Sequence, residues 1–209
     1  MTVSFTTYFI CTGNQARSVI AEHNFRRATE GLDVTVVSAG LYRPDAPALP
    51  EMATAAEAHG LDLSTHRSRN FATENLADAD LVIGFERQHI ATVVVDGNAD
   101  PAKTFMLKEL ARLLEDVRVN VADPIDRART VIATAHRARV AATAFFPGEE
   151  MADPVGRERD FFEETAGGIV ELTTALATTL FGDRTGHGGA PEPQPDPTEE
   201  TSRRIWGTA

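Results

Sequence analysis

The strongest constraint on the fold is a change of periodicity near the start of the chain. Residues 3–10 form an apolar, β-rich run, the pattern of a buried strand. The loop Cys11-Thr12-Gly13-Asn14-Gln15-Ala16-Arg17-Ser18 follows. Helical spacing then sets in over 18–29, with Ile20, Ala21, Phe25 and Ala28 in phase, and a second β-branched run covers 33–37. A strand, a helix and a second strand of these lengths make a parallel crossover. The chain is therefore expected to be α/β.

Each residue type in the loop has a chemical reason to be there. Backbone N–H groups in a tight turn that opens a helix converge on one point and favour an anion. A cysteine held at that point is favoured as its thiolate, the attacking form. Five residues separate Cys11 from Arg17, whose planar fork binds two phosphate oxygens at once. Gly13 allows a φ > 0 position and Asn14 tolerates one. The loop reads as a phosphate cradle over Thr12, Gly13, Asn14, Gln15, Ala16, Arg17 and Ser18, with Cys11 as a nucleophile on its floor. Taken singly, Cys11 would be a small buried apolar residue and Arg17 a surface charge. Their spacing is what joins them.

Further along, Ser38-Ala39-Gly40 reads as the turn that ends the second strand. A short helix is predicted over 51–59, opened by Pro50 and closed by Gly60. A third strand follows over 79–84, a helix over 86–95, a short fourth strand over 103–105 and a helix over 107–115. Residues 126–144 read as helical, and the cationic run from Arg127 to Arg139 reads as a solvated helix face. The last helix is predicted over 158–181, with Phe161, Phe162, Ile169, Leu172, Leu176 and Leu180 on or near one side. From 183 the composition shifts to Gly, Pro and Glu, the mark of a disordered tail, in which Trp206 stands alone. The expected organisation is one domain, 1–182, and a tail, 183–209.

A net charge of −11 argues against non-specific nucleic-acid binding and against an anionic membrane surface. The single cysteine excludes an internal disulfide. The three-glycine dinucleotide fingerprint is absent. With no signal-peptide pattern and no apolar run of membrane-spanning length, a cytoplasmic location is expected. His23, His59, His89, His136 and His187 have no metal-ligand spacing and read as surface or packing residues, so neither metal nor cofactor is expected.

A cysteine, five residues and Arg-Ser, with Gly-Asn inside and the whole placed after the first strand, resembles the low-molecular-weight protein tyrosine phosphatases. Cys11, Gly13, Asn14, Arg17 and Ser18 match. Gln15 stands where Ile or Thr is more usual, Ala16 where a second cysteine often sits, and Val19 where proline is common. The resemblance implies a three-layer αβα fold with a four-stranded parallel sheet and the phosphate-binding loop after the first strand. It implies an acid on an Asp-Pro loop before the last helix, which is Asp153-Pro154. Asp123-Pro124 has the same dipeptide but lies too early. It implies that Ser38 and His66 support the loop by bonding Asn14. The family has a much shorter link where this chain has 117–150, so that stretch reads as a helical insertion. Aromatics often follow the family's Asp-Pro; Val155 and Gly156 follow here. Leu41 and Tyr42 fall where the family places the opposite wall of the substrate pocket.

The implied activity is a cysteine-dependent protein phosphatase. It would act on a phosphorylated protein, at phosphotyrosine or a similar phosphoester, through a phosphocysteine intermediate. Two other readings share the loop. An arsenate reductase on this fold would need an external thiol, since no second cysteine exists. A non-catalytic phospho-binding module would have no use for an acid, and Cys11, Arg17 and Asp153 together count against it.

Overall fold

The computed structural model describes residues 4–42, 44–141, 146 and 148–182. The tail at 183–209, with Trp206, lies outside the described residues, as do 142–145 and 147 of the stretch read as inserted. Four strands, β1 (Phe5–Cys11), β2 (Val34–Gly40), β3 (Leu81–Gly84) and β4 (Thr104–Met106), form a sheet in the order β2-β1-β3-β4. All its neighbours are parallel. Among the described residues six α-helices connect or cover them: α1 (Arg17–Ala28), α2 (Pro50–Glu57), α3 (Arg87–Val95), α4 (Leu107–Leu114), α5 (Pro124–Ala141) and α6 (Arg159–Phe181).

Side chains alternate across the central strand and so build two cores. Phe5 and Phe9 of β1, with Leu81 and Ile83 of β3, face a large core filled from α1, α2, α4, α5 and α6. Phe5 meets Phe181 of α6 edge-on at 5.3 Å, and Phe9 meets Phe25 of α1 at 5.5 Å. Tyr8, Ile10 and Val82 face a smaller core closed by Val93 of α3 and by Phe71, Leu76 and Ala79. Burial on both faces explains why these strands read as continuous apolar runs. The result is a three-layer arrangement that leaves the loop after β1 at the carboxyl end of the sheet, where parallel α/β sheets bind ligands.

Two expectations change. Ser38-Ala39-Gly40 is the end of β2 and not a turn, because its parallel register with β1 runs on to Cys11 opposite Gly40. The cationic run on α5 is not a free solvated face. Arg127 donates to the Val119 carbonyl at 2.7 Å, and Arg129 pairs with Asp80 at 2.9 Å and reaches the Ser4 carbonyl. Arg139 donates to the Thr104 carbonyl at 2.6 Å and lies over the Phe105 ring. Meanwhile Ile125, Ala128, Val131, Ile132 and Ala135 enter the large core. Asp123 caps α5, its Oδ1 accepting from the Ile125 and Asp126 N–H groups at 2.9 Å, with Pro124 in the first helical position.

Candidate active site

The loop between β1 and α1 is held by its own side chains. Its left-handed position falls on Asn14, at φ 50°, and not on Gly13. Asn14 is fully buried, and its amide is bonded at both the nitrogen and the oxygen. Nδ2 donates to Ser18 Oγ at 2.9 Å and to Ser38 Oγ at 2.8 Å, while Oδ1 accepts from the Arg69 N–H at 2.8 Å. Ser38 passes its own hydrogen to Glu22, which also pairs with Arg26. His66 Nε2 donates to the Asn14 carbonyl at 2.7 Å. Burial pushes the His66 imidazole below its ordinary range, against a smaller upward pull from that hydrogen bond. Ser38 and His66 thus both meet Asn14, from the end of β2 and from the 61–70 connection.

On the floor of this loop lies Cys11, buried, with Sγ 3.0 Å from Ser18 Oγ and 3.2 Å from the Asn14 N–H. Ser18 accepts from Asn14, so its hydrogen is free to turn to the sulfur. A thiolate there receives two donors.

Arg17 opens α1 and is only 1% exposed. A buried guanidinium is costly unless every face is met. Here Nη1 donates to Glu86 Oε1 and to the Met151 carbonyl, both at 2.7 Å, and Nη2 donates to Asp153 Oδ2 at 2.7 Å and to Thr12 Oγ1 at 3.4 Å. Phe85 lies beneath it, its ring centre 5.9 Å from the guanidinium carbon.

Asp153 reaches the loop because its own segment is tied down. Met151 N–H donates to the Phe85 carbonyl at 2.8 Å, just past the end of β3. Arg112 of α4 pairs with Glu149 at 2.6 Å, and the Arg87 N–H donates to Glu150 at 3.1 Å. Cys11, Arg17, Ser18, Asn14, Ser38, His66 and Asp153 are therefore one constellation. Asp123 lies elsewhere, as the cap of α5.

The residues expected to wall a substrate pocket divide. Tyr42 and Val155 are 56% and 61% exposed. Leu41 is not an open wall: it is buried in the smaller core beside Tyr8, Ile10 and Phe71, pulled in by backbone bonds to the Cys11 and Thr12 carbonyls. Gln15 turns outward to the Pro47 carbonyl at 2.8 Å.

Glu86, His89 and Gly40 belong to the site and were missed. Glu86 and His89 follow β3, and their only sequence signal is position: the carboxyl end of a parallel strand. His89 is fully buried, with Nε2 3.1 Å from Thr12 Oγ1. Burial, and then the Arg17 charge, lower its pKa to about 3. Gly40 has no room for a side chain, since a Cβ there would lie 2.7 Å from the Asn14 nitrogen and 2.9 Å from the Gly13 carbonyl carbon. Among the described residues no cluster of three His, Cys, Asp or Glu side chains could hold a metal ion, and no helix is long and apolar enough to cross a membrane.

The chain is similar to known proteins both in sequence and in fold. A protein-arginine-phosphatase of Bacillus subtilis (strain 168) is 28% identical over 179 residues, covering 84% of this chain and 97% of its own. The low molecular weight protein-tyrosine-phosphatase Etp of Escherichia coli (strain K12) is 35% identical over 98 residues, covering 46% of this chain and 65% of its own. The crystal structure of a low molecular weight protein tyrosine phosphatase from T. tengcongensis superposes with a TM-score of 0.62 at 25% identity, covering 85% of this chain and 100% of that one. The family model described as low molecular weight phosphotyrosine protein phosphatase matches residues 6–144, and the chain belongs to that family.

Proposed function

We propose that this chain is a cysteine-dependent protein phosphatase working through a phosphocysteine, with residues 1–182 as the catalytic unit. The observation that carries the reading is the convergence on one loop of Cys11 Sγ, held by Ser18 and Asn14, with Arg17 bridging the loop to Asp153 at 2.7 Å.

The phosphoryl group of a substrate seats on the loop amides and on the Arg17 fork. It competes with Asp153 for Nη2 and so frees the carboxyl group to face the leaving atom. The Cys11 thiolate attacks phosphorus. The sulfur–phosphorus bond forms as the bond to the leaving group breaks, and Asp153 gives that group its proton. The loop N–H groups and Arg17 hold the equatorial oxygens as charge shifts. Ser18 donates to the sulfur and eases its departure in the second step. Water then attacks phosphorus, Asp153 takes a proton from it, the sulfur–phosphorus bond breaks and inorganic phosphate leaves.

The substrate is a phosphorylated side chain on a protein, phosphotyrosine or phosphoarginine. The arginine alternative is favoured by the Bacillus subtilis protein-arginine-phosphatase, which this chain matches over 97% of that protein's length. It is also favoured by the residues expected to wall the pocket, where the exposed residue after Asp153-Pro154 is the aliphatic Val155 and not an aromatic.

The test is turnover of an aryl phosphate, a phosphotyrosine peptide and a phosphoarginine peptide by wild type, Cys11→Ser and Asp153→Ala. Cys11→Ser is expected to abolish turnover, and Asp153→Ala to lower it by about 10²–10⁴-fold. An inactive wild type that instead oxidises thiol in the presence of arsenate would point to a reductase. Tight phosphopeptide binding without turnover would point to a binding module.

A further inference from the structure

His89 has no part in the chemistry above, yet it is fully buried beside the loop. Its tautomer follows from its partners. Nδ1 lies 3.2 Å from the Phe85 N–H and 3.1 Å from the Glu86 N–H, so it must accept. The ring hydrogen is therefore on Nε2. That nitrogen faces Thr12 Oγ1 at 3.1 Å, with the Glu86 carboxylate Oε2 at 3.7 Å as a further neighbour. His89 is thus a fixed donor to the Thr12 hydroxyl.

A threonine hydroxyl has two acceptor sites and one hydrogen. Nε2–H of His89 takes one acceptor site, and Nη2–H of Arg17 takes the other at 3.4 Å. With both taken, the hydroxyl hydrogen points away from His89 and Arg17. Thr12 is the residue next to the nucleophile and is partly exposed. Without His89, the hydroxyl could rotate and present its oxygen to the substrate, which would repel a phosphoryl oxygen.

We propose that the Thr12 hydroxyl donates a hydrogen bond to a phosphoryl oxygen of the substrate, and that His89 is the positioning residue that holds it in that orientation. The assignment rests on the reading of the loop as a phosphate site. It adds a side-chain donor to a cradle otherwise made of backbone N–H groups and Arg17.

The test is a double-mutant cycle on the full chain with inorganic phosphate as the probe, its Kd read by calorimetry. Thr12→Val keeps the side-chain shape and removes the hydroxyl. His89→Asn keeps an acceptor near the Phe85 and Glu86 N–H groups and removes the donor to Thr12. A hydrogen bond to a charged group corresponds to roughly a ten- to hundredfold change in Kd, which is expected for Thr12→Val. His89→Asn is expected to weaken phosphate similarly, and the double variant to be no weaker than Thr12→Val alone. Losses that multiply would make His89 a packing residue only and overturn its role. An unchanged Kd in Thr12→Val would overturn the hydroxyl's role, and that variant decides the matter even where His89→Asn does not fold. Aryl phosphate turnover by wild type separates the two levels. Turnover with an unchanged Kd in Thr12→Val sinks this assignment alone. Neither turnover nor phosphate binding in wild type sinks the phosphatase reading together with it.

Discussion

Gly40 is the residue on which the geometry of the loop depends most directly. It ends β2 opposite Cys11, and the backbone of Gly13 and Asn14 passes over it. Both atoms that a Cβ would strike are backbone, so neither can rotate away. Gly40→Ala must push the loop outward and with it the Asn14 N–H that faces the sulfur. Overpacking of this kind costs about 1–3 kcal/mol, and an ångström of misplacement at a reacting centre costs on the order of a hundredfold in rate. The expected outcome is a kcat/KM for aryl phosphate lowered by that order, with a modest fall in the urea midpoint. Full activity with lowered stability would mean that the loop tolerates the shift. The residues that carry reactive groups were legible because Cys11, Asn14, Arg17 and Ser18 lie in one contiguous stretch whose spacing has a chemical meaning. Gly40, Glu86 and His89 were not, because their meaning is a close approach or a contact across more than twenty residues. A glycine after a strand and a histidine in a helix have many bland explanations.

Among the elements, α5 best separates what a dipeptide suggests from what it does. Asp123-Pro124 and Asp153-Pro154 are alike in sequence. The first caps a helix, with Asp123 Oδ1 on two N–H groups at 2.9 Å. The second brings its carboxylate to Arg17. Asp123→Ala should therefore cost about 0.5–2 kcal/mol of stability, as the loss of a helix cap does. Aryl phosphate kcat/KM should stay unchanged, whereas Asp153→Ala should behave the opposite way. Paired urea titrations and initial rates on the two variants check this, and loss of activity in Asp123→Ala would break the assignment. The strands and most helices were legible from periodicity, since buried parallel strands give apolar runs and α6 keeps its apolar face in phase. The extent of β2 was not, because Ser-Ala-Gly has turn composition and only pairing with β1 keeps it extended. The docking of α5 was not legible either. Arg129 and Arg139 read as solvated charges until Asp80 and the carbonyls that accept from them are known.

Across the whole molecule, two imidazoles lie against the loop from opposite sides, His66 under Asn14 and His89 under Thr12. Both have pKa values below the ordinary 6.5, His89 down to about 3, with burial as the first cause in each. Below pH 6.5 the unfolded chain binds protons that the native chain refuses. Stability from this source is thus fully present above pH 6.5 and is lost as pH falls from 6.5 toward the depressed native values, with a slope of about 1.4 kcal/mol per pH unit for each fully refused proton. The window between about pH 6 and 5 lies above the ordinary carboxylate range, so the histidine contribution is read there with least overlap. The expected outcome is an unfolding free energy that falls with pH across that window in wild type. In His89→Asn the slope should be shallower by up to one proton, with His66 still contributing in the same direction. Urea unfolding at a series of pH values measures both slopes. The absolute stability of the variant does not enter the comparison, only its pH dependence. Equal slopes would mean that His89 takes up a proton in the native state, and a protonated ring could not accept from the Phe85 and Glu86 N–H groups. The same outcome would remove the fixed tautomer on which the orientation of Thr12 depends, so a bulk unfolding measurement bears directly on one hydrogen bond at the loop.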